Sequence, residues 1–162
     1  MRVSPDMIAI ATASVDDAAE ILALQKLAYQ SEAQIYNDWS LPPLAQTLDS
    51  LIEEFAHTII LKATMADRIV GSVRARQEGD TCLIGRLVVH PEVQGQGIGS
   101  RLLRSIEARF GGAVRFELFT GSKSEANIRL YQRHGYTIAQ TQPLSPIVSM
   151  VYLEKRAEQA AS

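Results

Sequence analysis

The segment Gln94-Gly95-Gln96-Gly97-Ile98-Gly99-Ser100 holds the residue types and spacing that most directly imply chemistry in this chain. It follows the apolar run Leu87-Val88-Val89-His90-Pro91 and opens into a stretch where Ile98, Leu102, Leu103, Ile106 and Phe110 recur on one helical face. A glycine-spaced turn between strand and helix leaves several N–H groups unpaired and pointing the same way, with the positive end of the helix dipole behind them. That chemistry is anion binding, and phosphate is the anion such cradles suit. No lysine follows the glycines as a P-loop requires. A dinucleotide fingerprint would want glycine where Ser100 stands. It would also want a first strand–helix unit at the start of the chain, although Glu117 lies about the right distance downstream to hold a ribose. A merely tight turn would need one glycine, not three.

Gln94, Gly97 and Gly99, preceded by Val89 and Pro91, form the pattern Gln-x-x-Gly-x-Gly after Val-x-Pro. Roughly thirty residues later comes Ser124-Glu125-Ala126-Asn127-Ile128-Arg129-Leu130-Tyr131-Gln132-Arg133-His134-Gly135-Tyr136, ending in Tyr-x-x-x-Gly-Tyr. The two segments together resemble the acetyl-CoA pyrophosphate loop and the late helix of the GCN5-related N-acetyltransferases, the GNAT family. The resemblance covers residues 58–155 well and the first fifty only in outline.

The elements that must position these segments follow from patterning. Met7 to Ala11 reads as a first strand, and Ser14 with Asp17 as a capping box. A helix follows with Ala18, Ile21, Leu22, Gln25 and Ala28 on one side. Pro42-Pro43 starts a second helix, with Leu44, Leu48, Leu51, Ile52 and Phe55 as its buried stripe. Runs over 58–64, 69–76 and 81–89 predict an antiparallel meander. The loop helix, a strand over 114–120, the Asn127 helix, a strand from Tyr136 and a last strand from Ile147 to Glu154 complete the order. The strand–helix–strand crossover around 87–120 implies a locally parallel pair. The class is α/β (α+β). The resemblance implies the GNAT fold: a mixed, mostly antiparallel sheet of six or seven strands, about four flanking helices, and a splayed parallel pair that binds the cofactor. The expected organisation is one N-acetyltransferase domain over 1–155 with a flexible tail over 156–162.

Bulk properties fit a small enzyme. The chain has 162 residues, 46% apolar and 21% charged, with a net charge of −2. That balance argues against general nucleic-acid binding. The single cysteine, Cys82, excludes an internal disulfide and reads as a small buried hydrophobe. No signal peptide, membrane span or Cys–His metal spacing is read, so the expectation is cytoplasmic, with no membrane partner and no metal.

What the resemblance implies for single residues is specific. The backbone of Leu87, Val88 and Val89 would pair with pantetheine as an added strand, one N–H of Leu87 or Val88 facing the thioester carbonyl. The amides of Gln96, Gly97, Gly99 and Ser100 would hold the pyrophosphate, with Gln94, Gly95 and Ile98 completing the loop. Tyr131 matches the family's general acid to the leaving sulfur; otherwise it packs. Asn127 either bonds the pantetheine amide or stands in solvent, while Ser124 suits the N-cap. Arg101, Arg104, Lys123, Arg129 and Arg133 are the positive charges within reach of CoA phosphates, each otherwise a surface charge.

The general base is not assigned. The family often places a glutamate before the loop, whereas Cys82-Leu83-Ile84-Gly85-Arg86 holds no carboxylate. Glu78 and Asp80 read as solvated, Glu32 and Asp38 are alternatives, a water relay is another, and His90 reads as structural. Tyr29, Glu32, Tyr36 and Trp39, in an aromatic and acidic segment before the Pro-Pro break, are the expected acceptor residues, since such groups suit a cationic amine. The implied function is transfer of acetyl from acetyl-CoA to a primary amine on a small molecule. Alternatives are a protein acetyltransferase acting on lysine or a chain N-terminus and a noncatalytic acyl-CoA sensor. A homodimer through the last strands is common in the family.

Overall fold

The structure is a computed structural model that describes residue 4, residues 7–146 and residues 148–157. Its strands are β1 (Ala9–Thr12), β2 (Ile59–Met65), β3 (Arg68–Glu78), β4 (Thr81–Val89), β5 (Arg115–Gly121), β6 (Thr137–Pro143) and β7 (Ser149–Arg156). Its helices are α1 (Ala18–Tyr36), α2 (Pro42–Ala45), α3 (Leu48–Glu54), α4 (Ile98–Ala108) and α5 (Glu125–Arg133), with 3-10 turns at Val15–Asp17 and Pro91–Val93. Among the described residues, no helix is long and apolar enough to cross a membrane.

One seven-stranded sheet runs in the order β1-β2-β3-β4-β5-β7-β6. Every neighbouring pair is antiparallel except β4 and β5. The mixed, mostly antiparallel sheet expected from the sequence is therefore present. Ala66 and Asp67 turn β2 into β3 with φ of 50° and 66°, the backbone of a type I′ hairpin.

The parallel pair does not stay paired. Ladder contacts join Thr81 to Arg115, Cys82 to Phe116 and Leu83 to Glu117, and none continues beyond. The divergence coincides with a bulge in β4. Opposite β3 the register jumps from Gly85–Arg74 to Val88–Ser72, so two residues, Arg86 and Leu87, face Val73 alone. Arg86 takes a left-handed φ of 52°. An extra residue of this kind bends and twists its strand, which carries the end of β4 away from β5.

Alternation along the strands sends two apolar sets to opposite faces. On one, α4 buries Leu102, Leu103 and Ile106 completely against Val73, Ile84 and Phe116. Each such side chain removed from water contributes about 2 kcal/mol. On the other, α1 and α3 bring Ile21, Leu24 and Leu51 against Ile60, Ile69 and Val88.

Several expectations need correction. The first strand is displaced to Ala9–Thr12. The helix expected from Pro42 is two helices, because Gln46 and Thr47 are extended and the Thr47 hydroxyl accepts the Ser50 N–H at 3.1 Å as a new N-cap. The interruption changes the phase of the helix. Leu51 is fully buried, whereas Leu48 and Ile52 are exposed and Leu44 and Phe55 only half-buried. The loop helix ends at Ala108, leaving Phe110 in the following turn. The last strand reaches Arg156, and the Ala157 N–H donates to the Val114 carbonyl at 2.9 Å. Ile147 and residues 158–162 of the expected tail lie outside the described residues.

Candidate active-site cleft

Where β4 and β5 part, a cleft of about 640 Å³ opens between α1, the end of β4, the glycine loop and the start of α5. Its cofactor-like end is made of backbone. Because β4 has no β5 partner beyond Leu83, the edge of Leu87, Val88 and Val89 turned away from β3 is left without a strand. All three residues line the cleft.

The loop beyond is held from both sides. The His90 N–H donates to the Val70 carbonyl at 2.8 Å. The His90 imidazole Nδ1 accepts from the Glu92 N–H at 3.1 Å, capping the 3-10 turn as a structural histidine would. Gln94 Nε2 donates to the Val89 carbonyl at 3.3 Å. Gly95 and Gly97 have φ of 77° and 84°, a region that costs L-residues about 1–2 kcal/mol. A Cβ built on either would meet nothing within 4 Å. The glycines are thus needed for the turn itself, and the space before them stays open. The first backbone bond of α4 runs from Arg101 N–H to the Gly97 carbonyl at 3.1 Å. Within the helix, the amides of Ile98, Gly99 and Ser100 therefore have no acceptor one turn back. The Ser100 hydroxyl is 2.9 Å from His134 Nε2. Burial, with Arg104 nearby, lowers the affinity of that imidazole for a proton.

The opposite end is made of side chains from distant elements. Glu32, half-buried on α1, accepts from the Ser124 hydroxyl at 2.5 Å and from Asn127 Nδ2 at 3.4 Å. Ser124 is 2.9 Å from the Tyr36 hydroxyl, which itself accepts the Lys123 N–H at 2.9 Å. The donors therefore run from Lys123 N–H through Tyr36 and Ser124 to the Glu32 carboxylate. Tyr36 reaches this place because residue 121 is glycine. A Cβ there would lie 2.0 Å from the Tyr36 hydroxyl oxygen.

Arg74 on β3 is 4% exposed. Its Nη2 donates to Gln25 Oε1 at 2.7 Å and to Gln46 Oε1 at 3.1 Å. Its Nη1 is 3.6 Å from the Glu54 carboxylate and has no hydrogen-bond partner. Burial lowers the Arg74 pKa to about 10, Glu54 opposing the shift and Arg86 adding to it. Burial raises the Tyr29 pKa, with the Arg86 and Arg74 cations opposing that shift and Glu32 adding to it.

The sequence-predicted residues divide accordingly. Leu87, Val88, Val89, Gln94, Gly95, Gly97, Ile98, Gly99, Ser100 and Asn127 line the cleft, as do Tyr29 and Glu32. Gln96 stands in the loop but outside the wall. Tyr131 is 7% exposed and also outside the open wall. Its ring lies 6.1 Å from that of Tyr136. Burial, then Tyr29 and Glu32, raises its pKa well above the ordinary tyrosine value, so it remains an O–H donor. Tyr36 serves the hydrogen-bond chain, and Trp39 is 57% exposed away from the cleft. Ser124 occupies the N-cap position of α5 without capping it, its hydroxyl being engaged by Glu32 and Tyr36.

Of the cations, Lys123, Arg129 and Arg133 line the cleft, while Arg101 donates to the Ile8 carbonyl at 3.2 Å. Glu78 pairs with Arg76 in the exposed turn, and Asp38 accepts from Ser40 outside the cleft. Cys82 is fully buried, with its thiol pushed up to about 12 by burial. Gln25, Arg74 and Arg86 were not anticipated. The available signals were an arginine inside an apolar strand run and a Gly-Arg pair before the loop. Among the described residues, no His, Cys, Asp or Glu cluster is arranged to hold a metal ion.

Comparison with known proteins agrees with this geometry. The acetyltransferase (GNAT) domain family matches residues 55–138. The UPF0157 protein YqkA of Bacillus subtilis (strain 168) is 27% identical over 124 residues, covering 76% of this chain and 36% of that protein. The chain thus spans about a third of the length of that curated relative. The PaiA N-acetyltransferase of Thermoplasma acidophilum, solved in complex with coenzyme A, superposes with a TM-score of 0.78 at 16% identity, over 93% of this chain and 99% of that one. YncA, a putative acetyltransferase from Salmonella typhimurium solved with acetyl-CoA, superposes with a TM-score of 0.74 at 18% identity, over 96% of each chain.

Proposed function

This chain belongs to the GNAT acetyltransferase family, and we propose that it moves the acetyl group of acetyl-CoA to a primary amine on a small molecule. The observation that carries the proposal is the polarity of the cleft. An unpartnered strand edge and a glycine-built anion cradle lead to a half-buried carboxylate held by Ser124 and Asn127. Acetyl-CoA supplies an activated acyl thioester. The residues present suit it, because the open space before Gly95 and Gly97 and the amides at the start of α4 are what a pyrophosphate needs. The β4 edge at Leu87–Val89 receives a pantetheine amide chain as an added strand would be received. Lys123, Arg129 and Arg133 supply positive charge along the same wall.

At the acceptor end the roles follow from position. Glu32 takes the proton of the incoming amine, directly or through one water. The amine nitrogen forms the new C–N bond to the acetyl carbon as the C–S bond breaks. A β4 N–H at Leu87 or Val88 supports the negative charge that develops on the carbonyl oxygen. Tyr131 lies outside the open wall but is kept protonated by burial, and the family resemblance, not its position, gives it the role of donor to the departing sulfur. Lys123, Tyr36 and Ser124 fix the Glu32 carboxylate through their hydrogen-bond chain and so act as positioning groups.

Titration calorimetry with acetyl-CoA, followed by a thiol-release screen over amino acids, polyamines, aminoglycosides and peptides, tests this reading. Binding with release for one small-amine class is expected. Release with peptides alone would replace the small acceptor by a protein, and binding without release would point to a sensor. No binding would overturn the reading of the loop.

A further inference from the structure

The start of α4 carries a side-chain contact that a backbone cradle does not need. The Ser100 hydroxyl, half-buried on the cleft wall, is 2.9 Å from His134 Nε2. The two residues are 34 positions apart and sit at the ends of different helices. His134 is the C-cap of α5, and Gly135 after it turns left-handed with φ of 90°. The Gly135 N–H donates to the Gln132 carbonyl and the Tyr136 N–H to the Tyr131 carbonyl, both at 3.1 Å, the paired bonds of a Schellman ending. On the other side, a Cβ on Gly99 would stand 3.4 Å from Leu130 of α5. Hydroxyl and imidazole therefore meet through two helix ends fixed by their own backbones and packed on each other.

Charged groups face the imidazole from each neighbouring element: Arg104 and Glu107 on α4, Lys155 on β7 and Arg133 on α5. Burial first, then Arg104, Lys155 and Arg133, hold its proton affinity below the ordinary histidine value, with Glu107 opposing them. The ring is neutral at neutral pH, and an anion seated at Ser100 is what would draw a proton to it.

We propose that His134 is a positioning residue for the pyrophosphate of acetyl-CoA: Nε2–H donates to Ser100 Oγ, the Ser100 O–H turns to the anion, and cofactor binding is coupled to protonation of the ring. This rests on the acetyl-transfer reading of the same cleft. A serine oxygen that accepts from the ring keeps its own hydrogen for the phosphate. A ring nitrogen that accepts would take that hydrogen and leave lone pairs facing a negative charge. The imidazolium donates from both nitrogens, so protonation enforces the first arrangement and adds a positive charge one side chain away. Because the anion favours the charged ring, the imidazole keeps its proton to higher pH in the complex than in the free protein. CoA affinity therefore rises as pH falls through the interval between those two titrations, and is level on either side of it.

The test is calorimetric titration of the full chain with CoA from about pH 8 to about pH 5.5, in buffers of different ionisation heat. The 3′-phosphate of CoA titrates at about pH 6, so each profile is read as a difference between the unaltered protein and a variant. His134→Gln keeps a side-chain donor that does not titrate. It should bind like the unaltered protein at the high-pH end and fall behind it by about tenfold at the low end, with less proton uptake. His134→Leu should weaken binding about threefold even at high pH, and should cost nothing further when Ser100 is already alanine. A pH profile and proton uptake unchanged in His134→Gln would overturn the proposal. Additive losses for Ser100→Ala and His134→Leu would do the same. In both cases the cofactor reading stands, whereas failure of the unaltered protein to bind CoA at any pH would bring both down together.

Discussion

The two ends of the cleft are built on different principles. The cofactor-like end is contiguous and made of backbone: fourteen successive positions, 87 to 100, supply the strand edge, the turn and the helix start. The acceptor end is assembled from side chains on α1 and at the start of α5, at positions 29, 32, 124 and 127. A backbone site tolerates most side-chain changes and fails at its glycines. A side-chain site has no such privileged residue, and its geometry depends on hydrogen bonds across the sheet. On the proposed function, substitution should therefore alter substrate choice more readily than phosphate binding.

Substitutions that strike one end should leave the other intact. The largest effect is expected for Gly97→Glu. The space at Gly97 is open, so the fold should survive with about 1–2 kcal/mol of backbone strain. The new carboxylate would stand where the phosphate binds, and acetyl-CoA affinity by calorimetry should fall below detection. Arg74→Leu attacks the other end from below. It leaves the buried Gln25 Oε1 without its donor, while Gln46 and the part-exposed Glu54 keep each other, and denaturant unfolding should show a loss of about 3 kcal/mol.

Tyr131→Phe should lower kcat by about ten- to a hundredfold with little change in acetyl-CoA affinity. An equal loss of affinity would make Tyr131 a packing residue instead. Gly121→Ala should be the mildest, at about 1–3 kcal/mol of overpacking. It pushes Tyr36 from Ser124, so its informative readout is a raised acceptor KM with unchanged acetyl-CoA binding. Were both ends to weaken together, the division between them would be wrong.

The same division governs what could be read from residue order. β4 spans the 81–89 run expected of a strand, and α4 starts at Ile98, directly after the left-handed Gly97. The helix that opens with Pro42 misled because its apolar spacing continued through Thr47, whose hydroxyl instead caps a new helix. Ser124 looked like a cap and is engaged elsewhere. Tyr36 and Trp39 fall in a composition that suits an amine, yet one is a buried strut and the other stands exposed. Hydrogen-bond partners 88 and 92 positions apart in the chain leave no periodic trace.

By itself the amino-acid order determined the mixed sheet, the parallel crossover and the glycine turn into α4, because these rest on periodicity and on glycine conformation acting over a few residues. The tertiary structure alone decided that Glu32 is the carboxylate held by Ser124 and Asn127, that Tyr36 reaches Ser124 past Gly121, and that Arg74 lies buried against Gln25. Those outcomes depend on the β4 bulge and on α1 lying across the sheet, where residues remote in sequence lose water together and must satisfy one another's charges and hydrogen bonds.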